Sequence, residues 1–306
     1  MIISIIFPVY NEQENLQQLY QQLVQIIQKI NFDFEFIFVD DASTDCTPQI
    51  LKILHENDKR IKVIRFSRNC GSHAALAAGL INCKGDCAIN LSADLQDPLE
   101  LILHLIREWE KKTAKIVWGV RAGREGERKR KRFFAKLYYI LINWLTDVKI
   151  PPAGTDVFLL DRVVIEAFKE IKEKHTSIFM TLAWFGFPHA YIQYIKASRF
   201  GGKSKWTFWK QFKLTLDSIL SFSDIPIRYA SALGMLTTLL GFLYALSIIW
   251  HYFHGSPVQG WSSLVVIILI VGGMQMMILG ILGEYLWRTF DEARRRPRYV
   301  IEYKIE

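Results

Sequence analysis

Over the first 200 residues, apolar runs of strand length alternate with segments whose apolar positions recur every three or four residues. Residues 2–10 are apolar and β-branched and break at Pro8, which predicts a buried first strand followed by a helix over about 15–30. Residues 34–41 read as a second strand closing on two carboxylates, 48–57 as a helix and 61–66 as a third strand. Residues 71–83 form an Ala-rich helix suited to close packing on a sheet. A fourth strand begins at Ala88 and empties into the acidic turn Ser92-Ala-Asp-Leu-Gln-Asp-Pro98. Beyond it, Leu99, Ile102, Leu103, Leu105 and Ile106 predict a helix with Pro98 at its first position and Asp97 as a candidate cap. Residues 115–120 read as a fifth strand. Strands and helices alternating at these lengths imply parallel crossovers and a doubly wound α/β sheet.

From Lys205 onward the pattern changes. Trp209, Phe212, Leu216, Ile219 and Phe222 share one helical face, with Lys210, Gln211, Lys213, Asp217 and Ser218 opposite, which suits a helix lying in a membrane interface. Residues 229–252 carry no acidic or basic side chain before His251, and residues 261–282 carry none at all. At ~1.5 Å per residue each run is long enough for a hydrocarbon core of about 30 Å. The short link 254–260 makes the two spans, about 229–253 and 261–286, a hairpin. The expected organisation is therefore an α/β domain over 1–200, an amphipathic juxtamembrane helix over 201–228, a membrane hairpin over 229–287 and a basic tail over 288–306.

Composition sharpens this picture. Hydrophobic residues make up 51% of the 306, and the formal net charge is +8. Such a charge suits nucleic acid, anionic lipid or phosphate-bearing substrates equally. The dense basic runs at 128–132 and 294–298 flank apolar elements and do not form one groove, which argues against nucleic acid. Arg228, Arg288 and Arg294-Arg-Arg296 place both ends of the hairpin, and with them both termini, in the cytoplasm. The four cysteines form no CxxC pair and read as reduced thiols. Residues 1–10 lack a basic leader region, so they read as a strand and not as a signal peptide.

Three predicted strand ends carry polar groups: Tyr10-Asn-Glu12, Asp40-Asp41 and the turn from Asp94 to Asp97. Parallel strands point the same way, so these groups converge at the rim where open α/β sheets bind ligands. Oxygen ligands there suit a hard divalent cation holding a diphosphate; an acidic turn capping the next helix is the plainer alternative. No GxGxxG follows the first strand, and the glycine a P-loop needs before Gly202-Lys-Ser204 falls on Ala197, so neither nucleotide motif applies. Residues 121–132 contain seven Lys or Arg and lead into an aromatic run, which fits either a solvated helix start or a membrane-facing surface. Asp156 stands alone before another short strand, where a structural aspartate in a turn is the default reading.

In order along the chain, Phe7-Pro-Val-Tyr-Asn-Glu12, Val39-Asp-Asp-Ala-Ser-Thr-Asp45, Arg68-Asn-Cys-Gly71, Ser92-Ala-Asp-Leu-Gln-Asp-Pro98, Gly119-Val-Arg121, Gly154-Thr-Asp156, Gly202-Lys-Ser-Lys205, Gly283-Glu-Tyr-Leu286 and Arg295-Arg-Pro-Arg-Tyr299 resemble the membrane-bound branch of the family-two, GT-A-fold glycosyltransferases. That branch includes dolichol-phosphate mannose synthases and bacterial bactoprenol (undecaprenyl-phosphate) glucosyltransferases, and two C-terminal spans resemble the latter. The resemblance implies a GT-A, Rossmann-like and mostly parallel sheet. It places Pro8, Tyr10, Glu12, Asp41 and Ser92 at the nucleotide sugar, and Asp94 and Gln96 on a divalent metal, Mg²⁺ or Mn²⁺. Asp156 becomes the catalytic carboxylate, with Arg121, Arg199, Ser204 and Lys205 at donor or acceptor phosphate. Two departures stand out: Ser92 replaces the first acid of the Asp-x-Asp signature, and Phe158 stands where relatives often carry Arg.

The implied reaction is an inverting transfer of a hexose, glucose from UDP-glucose, onto the phosphate of a polyprenyl phosphate at the cytoplasmic membrane face. Mannose from GDP-mannose and a modified arabinose are the alternatives of the same kind; a non-catalytic scaffold or flippase component is the alternative of another kind. A processive synthase would need a QxxRW motif, which is missing. Membrane lipids are expected partners, and assembly into a homo-oligomer is an expectation, because a two-helix hairpin buries little surface alone.

Overall fold

The computed structural model describes residues 1–124, 155–171, 173, 177–197, 223, 225–254 and 260–306. The chain divides into two compact units, one comprising Met1–Ser218 with Pro297–Glu306 and the other Ile219–Arg296.

In the first unit, strands β1 (Ile2–Val9), β2 (Asp33–Asp40), β3 (Ile61–Phe66), β4 (Cys87–Asn90), β5 (Ile116–Arg124), β6 (Thr155–Asp161), β7 (His189–Lys196) and β8 (Ile301–Ile305) form one sheet in the order β7-β5-β6-β4-β1-β2-β3-β8. Helices α1 (Leu16–Ile27), α2 (Thr47–Asn57), α3 (Ser72–Asn82), α4 (Leu101–Glu110), α5 (Arg162–Lys169) and α6 (Ile178–Trp184) cover its two faces.

The central strands are apolar on both faces because both are covered. In β1 and β2, Ile3, Ile5, Phe7, Phe34, Phe36 and Phe38 pack with α1, α2 and α4, while Ile6, Ile37 and Val39 pack with α3, α5 and α6. Phe7 and Phe38 stack with ring centroids 4.8 Å apart. The Ala-rich α3 earns its closeness at Gly79, where a Cβ would lie 2.3 Å from Ile6 Cγ2. Helix α5 is capped by Asp161, whose Oδ1 accepts from the Val163 N–H at 3.1 Å.

The sheet is mixed, with four of its seven strand pairs parallel, as expected of a mostly parallel sheet. Pairs β1–β2, β2–β3, β1–β4 and β5–β7 are parallel, but β6 runs antiparallel between β4 and β5, and β8 runs antiparallel on β3. The fifth strand is therefore separated from the fourth by a strand that arrives later in the chain. Residues 297–306, expected as part of a basic tail, return to the first unit and supply an edge strand; Tyr299 stacks on Phe66 with centroids 4.6 Å apart. Pro98 does not open a helix. Leu101, Ile102 and Leu103 donate to the carbonyls of Pro98, Leu99 and Glu100 at 3.0 Å each, a tight three-residue turn that precedes α4.

In the second unit, α7 (Ile225–Phe253) and α8 (Trp261–Ala293) pack together, with a Cβ at Gly234 reaching 3.5 Å from Ile278 Cδ1. Residues Ile227–His251 and Val266–Ala293 are long and apolar enough to cross a bilayer, and none of their most apolar stretches is buried inside the protein. Large side chains such as Met235, Phe242, Ile268 and Met276 stand exposed, which suits lipid contact and not the core of a water-soluble domain. Their length and exposed apolar surface suit the pair to membrane association. The expected amphipathic helix at 201–228 lies almost entirely outside the described residues.

Candidate active site

Chain order in the sheet runs outward from β1 to β2 and β3, then crosses back through α3 to place β4 on the other side of β1. The reversal between β1 and β4 is a topological switch point, whose carboxyl side is the usual ligand crevice. Tyr10, Asn11 and Glu12 leave β1 there, Asp41 leaves β2, and residues 92–97 leave β4. The antiparallel course of β6 brings its first residues to the same rim: Asn90 pairs with Phe158, and Asn90 Nδ2 donates to the Asp156 carbonyl at 2.8 Å. The far ends of β5, with Arg121, and of β7, with Lys196, complete it.

The turns at this rim are strained and heavily stitched. Asn11, Ala42 and Leu95, one beyond each of β1, β2 and β4, have φ of 52°, 56° and 57°. A left-handed non-glycine residue persists only where its surroundings hold it. The Asn11 N–H donates to Ser43 Oγ at 2.9 Å, and the Thr44 N–H donates to Asn11 Oδ1 at 2.8 Å. Buried Asp40 pairs with Arg65 and accepts from the Ser43 N–H at 2.9 Å.

Asp41 is also buried, and its carboxylate oxygens accept from the Cys70 and Gly71 N–H groups at 2.6 and 2.8 Å. It thereby holds the loop whose Gly71 has φ of 91°, a conformation that favours glycine. Pro8, Tyr10, Glu12 and Ser92 are half-buried at the same rim. The five residues expected at the nucleotide sugar thus lie along one rim of the sheet.

Asp94 and Gln96 are buried on the turn after β4, where Asp94 Oδ1 accepts from the Gln96 N–H at 3.2 Å. Among the described residues no three His, Cys, Asp or Glu side chains are grouped to hold a metal. One carboxylate and one carboxamide are nevertheless hard oxygen donors. That set fits a divalent ion that takes its remaining oxygens from a diphosphate and water.

Asp156 is the electrostatic centre of the rim. Its Oδ1 accepts from Arg121 Nη2 at 2.9 Å and its Oδ2 from Lys196 Nζ at 2.9 Å. Burial alone would raise its carboxyl, but the Lys196 and Arg121 charges outweigh that and hold it below the usual aspartate range. Lys196 shows the converse: burial would lower it, and the Asp156 and Asp97 charges raise it above the ordinary lysine value. Of the expected phosphate ligands, Arg121 stands at the rim with its guanidinium on Asp156, while Arg199, Ser204 and Lys205 lie outside the described residues.

Sequence reasoning missed Tyr194, Lys196 and the real setting of Asp97. Asp97 is no helix cap; its Oδ1 accepts from Tyr194 OH at 2.9 Å and lies 3.3 Å from Lys196 Nζ. A signal existed in β7, where Tyr194 and Lys196 continue the buried face begun by Ala190 and Ile192. A lysine placed in register on a buried strand face needs an acidic partner.

Residues 4–168 match the model of the Glycosyl transferase family 2 family. The chain is 38% identical over 306 residues to an uncharacterized glycosyltransferase, YkcC, of Bacillus subtilis, with 99% of this chain and 94% of that protein covered. It is 37% identical to the uncharacterized glycosyltransferase sll0501 of Synechocystis, covering 98% and 94%. It is also 36% identical to the bactoprenol glucosyl transferase of Shigella phage SfV, covering 99% and 98%. The chain therefore belongs to glycosyl transferase family 2 and is a glycosyltransferase built on a mixed α/β, GT-A-like sheet.

Proposed function

We propose that this glycosyltransferase moves glucose from UDP-glucose onto the phosphate of a polyprenyl phosphate, undecaprenyl phosphate, at the cytoplasmic face of the cell membrane, with inversion at the anomeric carbon. The observation that carries this reading is Asp156, kept ionised by two cations at a sheet rim, in a chain with two bilayer-length helices. The bactoprenol glucosyl transferase relative, aligned from end to end, supports the acceptor and the sugar.

Pro8, Tyr10, Glu12, Asp41 and Ser92 line the donor pocket. Asp94 and Gln96 would hold Mg²⁺ or Mn²⁺, which when bound neutralises charge on the departing nucleoside diphosphate. Arg121, with Arg199, Ser204 and Lys205, grips phosphate oxygens, for which a guanidinium offers a bidentate fork. The nucleophile is a phosphate already ionised at neutral pH, so no proton has to be removed from it. A carboxylate that two cations hold ionised is a poor base, and Asp156 instead stabilises the positive charge that develops at the anomeric carbon.

The test is a donor panel with the full-length protein in vesicles, reading nucleoside diphosphate release with and without polyprenyl phosphate. UDP release from UDP-glucose should depend on the acceptor; equal release without it, or preferential turnover of GDP-mannose or a modified arabinose donor, would overturn the assignment. The pH profile supplies a second readout. Because the Asp156 carboxyl lies below its ordinary value, it stays ionised as pH falls, and adds no acid limb above about pH 5. Turnover should instead decline near about pH 6, where the second ionisation of an alkyl phosphate lies.

A further inference from the structure

We infer that Tyr194, Asp97 and Lys196 form a relay of positioning residues that sets the place of the Asp156 carboxylate, an inference that rests on the role proposed above for Asp156. The three belong to two segments distant in sequence, the turn after β4 and the end of β7, and they meet inside the protein. Tyr194 and Lys196 are each 6% exposed and Asp97 is 3% exposed.

The contacts form a single line. Tyr194 OH donates to Asp97 Oδ1 at 2.9 Å; Lys196 Nζ lies 3.3 Å from that same oxygen and 2.9 Å from Asp156 Oδ2. Arg121 Nη2 spans both Asp156 oxygens, 2.9 Å from Oδ1 and 2.8 Å from the Oδ2 that Lys196 also meets. The other oxygen of Asp97 is buried with no hydrogen-bond partner among the described residues. The Asp97 carboxylate is therefore fixed through the one oxygen that Tyr194 and Lys196 share. A backbone bond from the Ala197 N–H to the Gln96 carbonyl, 2.9 Å, ties the two segments beside it.

The chemistry of each member explains its place. A lysine ammonium sits on four flexible carbons and has no geometry of its own. Asp97 supplies that geometry from below, so the ammonium meets Asp156 from one direction. The Tyr194 hydroxyl keeps Asp97 from turning, and only Lys196 of the three touches Asp156. Buried charges linked in this way depend on every member being present. A displacement of about 1 Å at a reacting group can cost about 100-fold in rate.

The experiment uses the full-length protein in vesicles, comparing Tyr194→Phe, Lys196→Met, Lys196→Arg and the double variant Tyr194→Phe/Lys196→Met, with Asp156→Asn as the reference. Lys196→Met should lower kcat by about 10- to 100-fold with donor KM nearly unchanged, and Lys196→Arg should restore most of it. Tyr194→Phe keeps the ring and should lower kcat in the same sense, by less. In the double variant Tyr194→Phe should add nothing further, because its effect passes through Lys196. Additive losses, a rise in donor KM with kcat preserved, or wild-type kcat in Lys196→Met while Asp156→Asn is inactive would overturn the relay alone. Should Lys196→Met not fold, a wild-type kcat in Tyr194→Phe would overturn it as well. If Asp156→Asn itself turns over normally, the role of Asp156 falls, and the relay with it.

Discussion

Asp156→Asn lowers kcat by about 100- to 1,000-fold while leaving the protein folded and in the membrane. The magnitude is that of removing one preorganised electrostatic contact to charge developing in a transition state. The amide keeps the shape of the carboxylate but offers Arg121 and Lys196 one acceptor oxygen in place of two, and the negative charge between them is gone. The Asp156 side chain is 35% exposed, so water can reach the surplus positive charge and the fold tolerates it. Turnover at saturating donor, measured beside a thermal melt, separates the two consequences. Near-normal turnover would remove Asp156 from the active site.

Asp94→Ala abolishes metal-dependent donor binding. With Ser92 in place of an acid, Asp94 is the one carboxylate that the turn at 92–96 offers a divalent ion beside Gln96. The next acid along the chain, Asp97, is engaged by Tyr194 OH and Lys196 Nζ. Donor affinity should fall by more than the roughly 10- to 100-fold that losing an outer-shell partner costs a metal site. Calorimetry of UDP-glucose with Mg²⁺, and then with EDTA, reads this directly: EDTA should weaken binding to the wild type and leave the variant unchanged. Wild-type binding indifferent to EDTA would contradict the roles of Asp94 and Gln96.

Much of this architecture was legible in the residue pattern. Strands with apolar side chains on both faces, such as Ile2–Val9 and Asp33–Asp40, announce a covered parallel sheet whatever their neighbours. Polar groups at their ends then fall on one rim by geometry alone. The two spans past residue 225 are equally plain, because nothing but lipid or a large core accommodates so many uninterrupted apolar positions.

Other features depend on partners far away in sequence. The antiparallel insertion of β6 between β4 and β5 is set by tertiary pairing, and the strand itself carries no mark of its direction. That insertion is nonetheless what turns Asp156, first read as an isolated turn residue, into the neighbour of Arg121 and Lys196. The edge strand at Ile301–Ile305 is short and half polar, so its charges read as a tail until β3 is seen beside it. Asp97 misled for a local reason: an acid before proline is a common helix start, and a tight turn at 98–100 displaced the helix by three residues. Its burial against Tyr194 and Lys196 was written only in the alternation of β7, where a lysine occupies an inward position.

Transfer of a sugar to a lipid-borne phosphate is read out by following labelled glucose from UDP-glucose in vesicles containing undecaprenyl phosphate. Label should enter the organic phase as a β-linked glucosyl phosphodiester, with one UDP released for each glucose transferred, and none should do so when the unphosphorylated polyprenol replaces the acceptor. Label that stays in the water phase, or passes equally to the free alcohol, would contradict it.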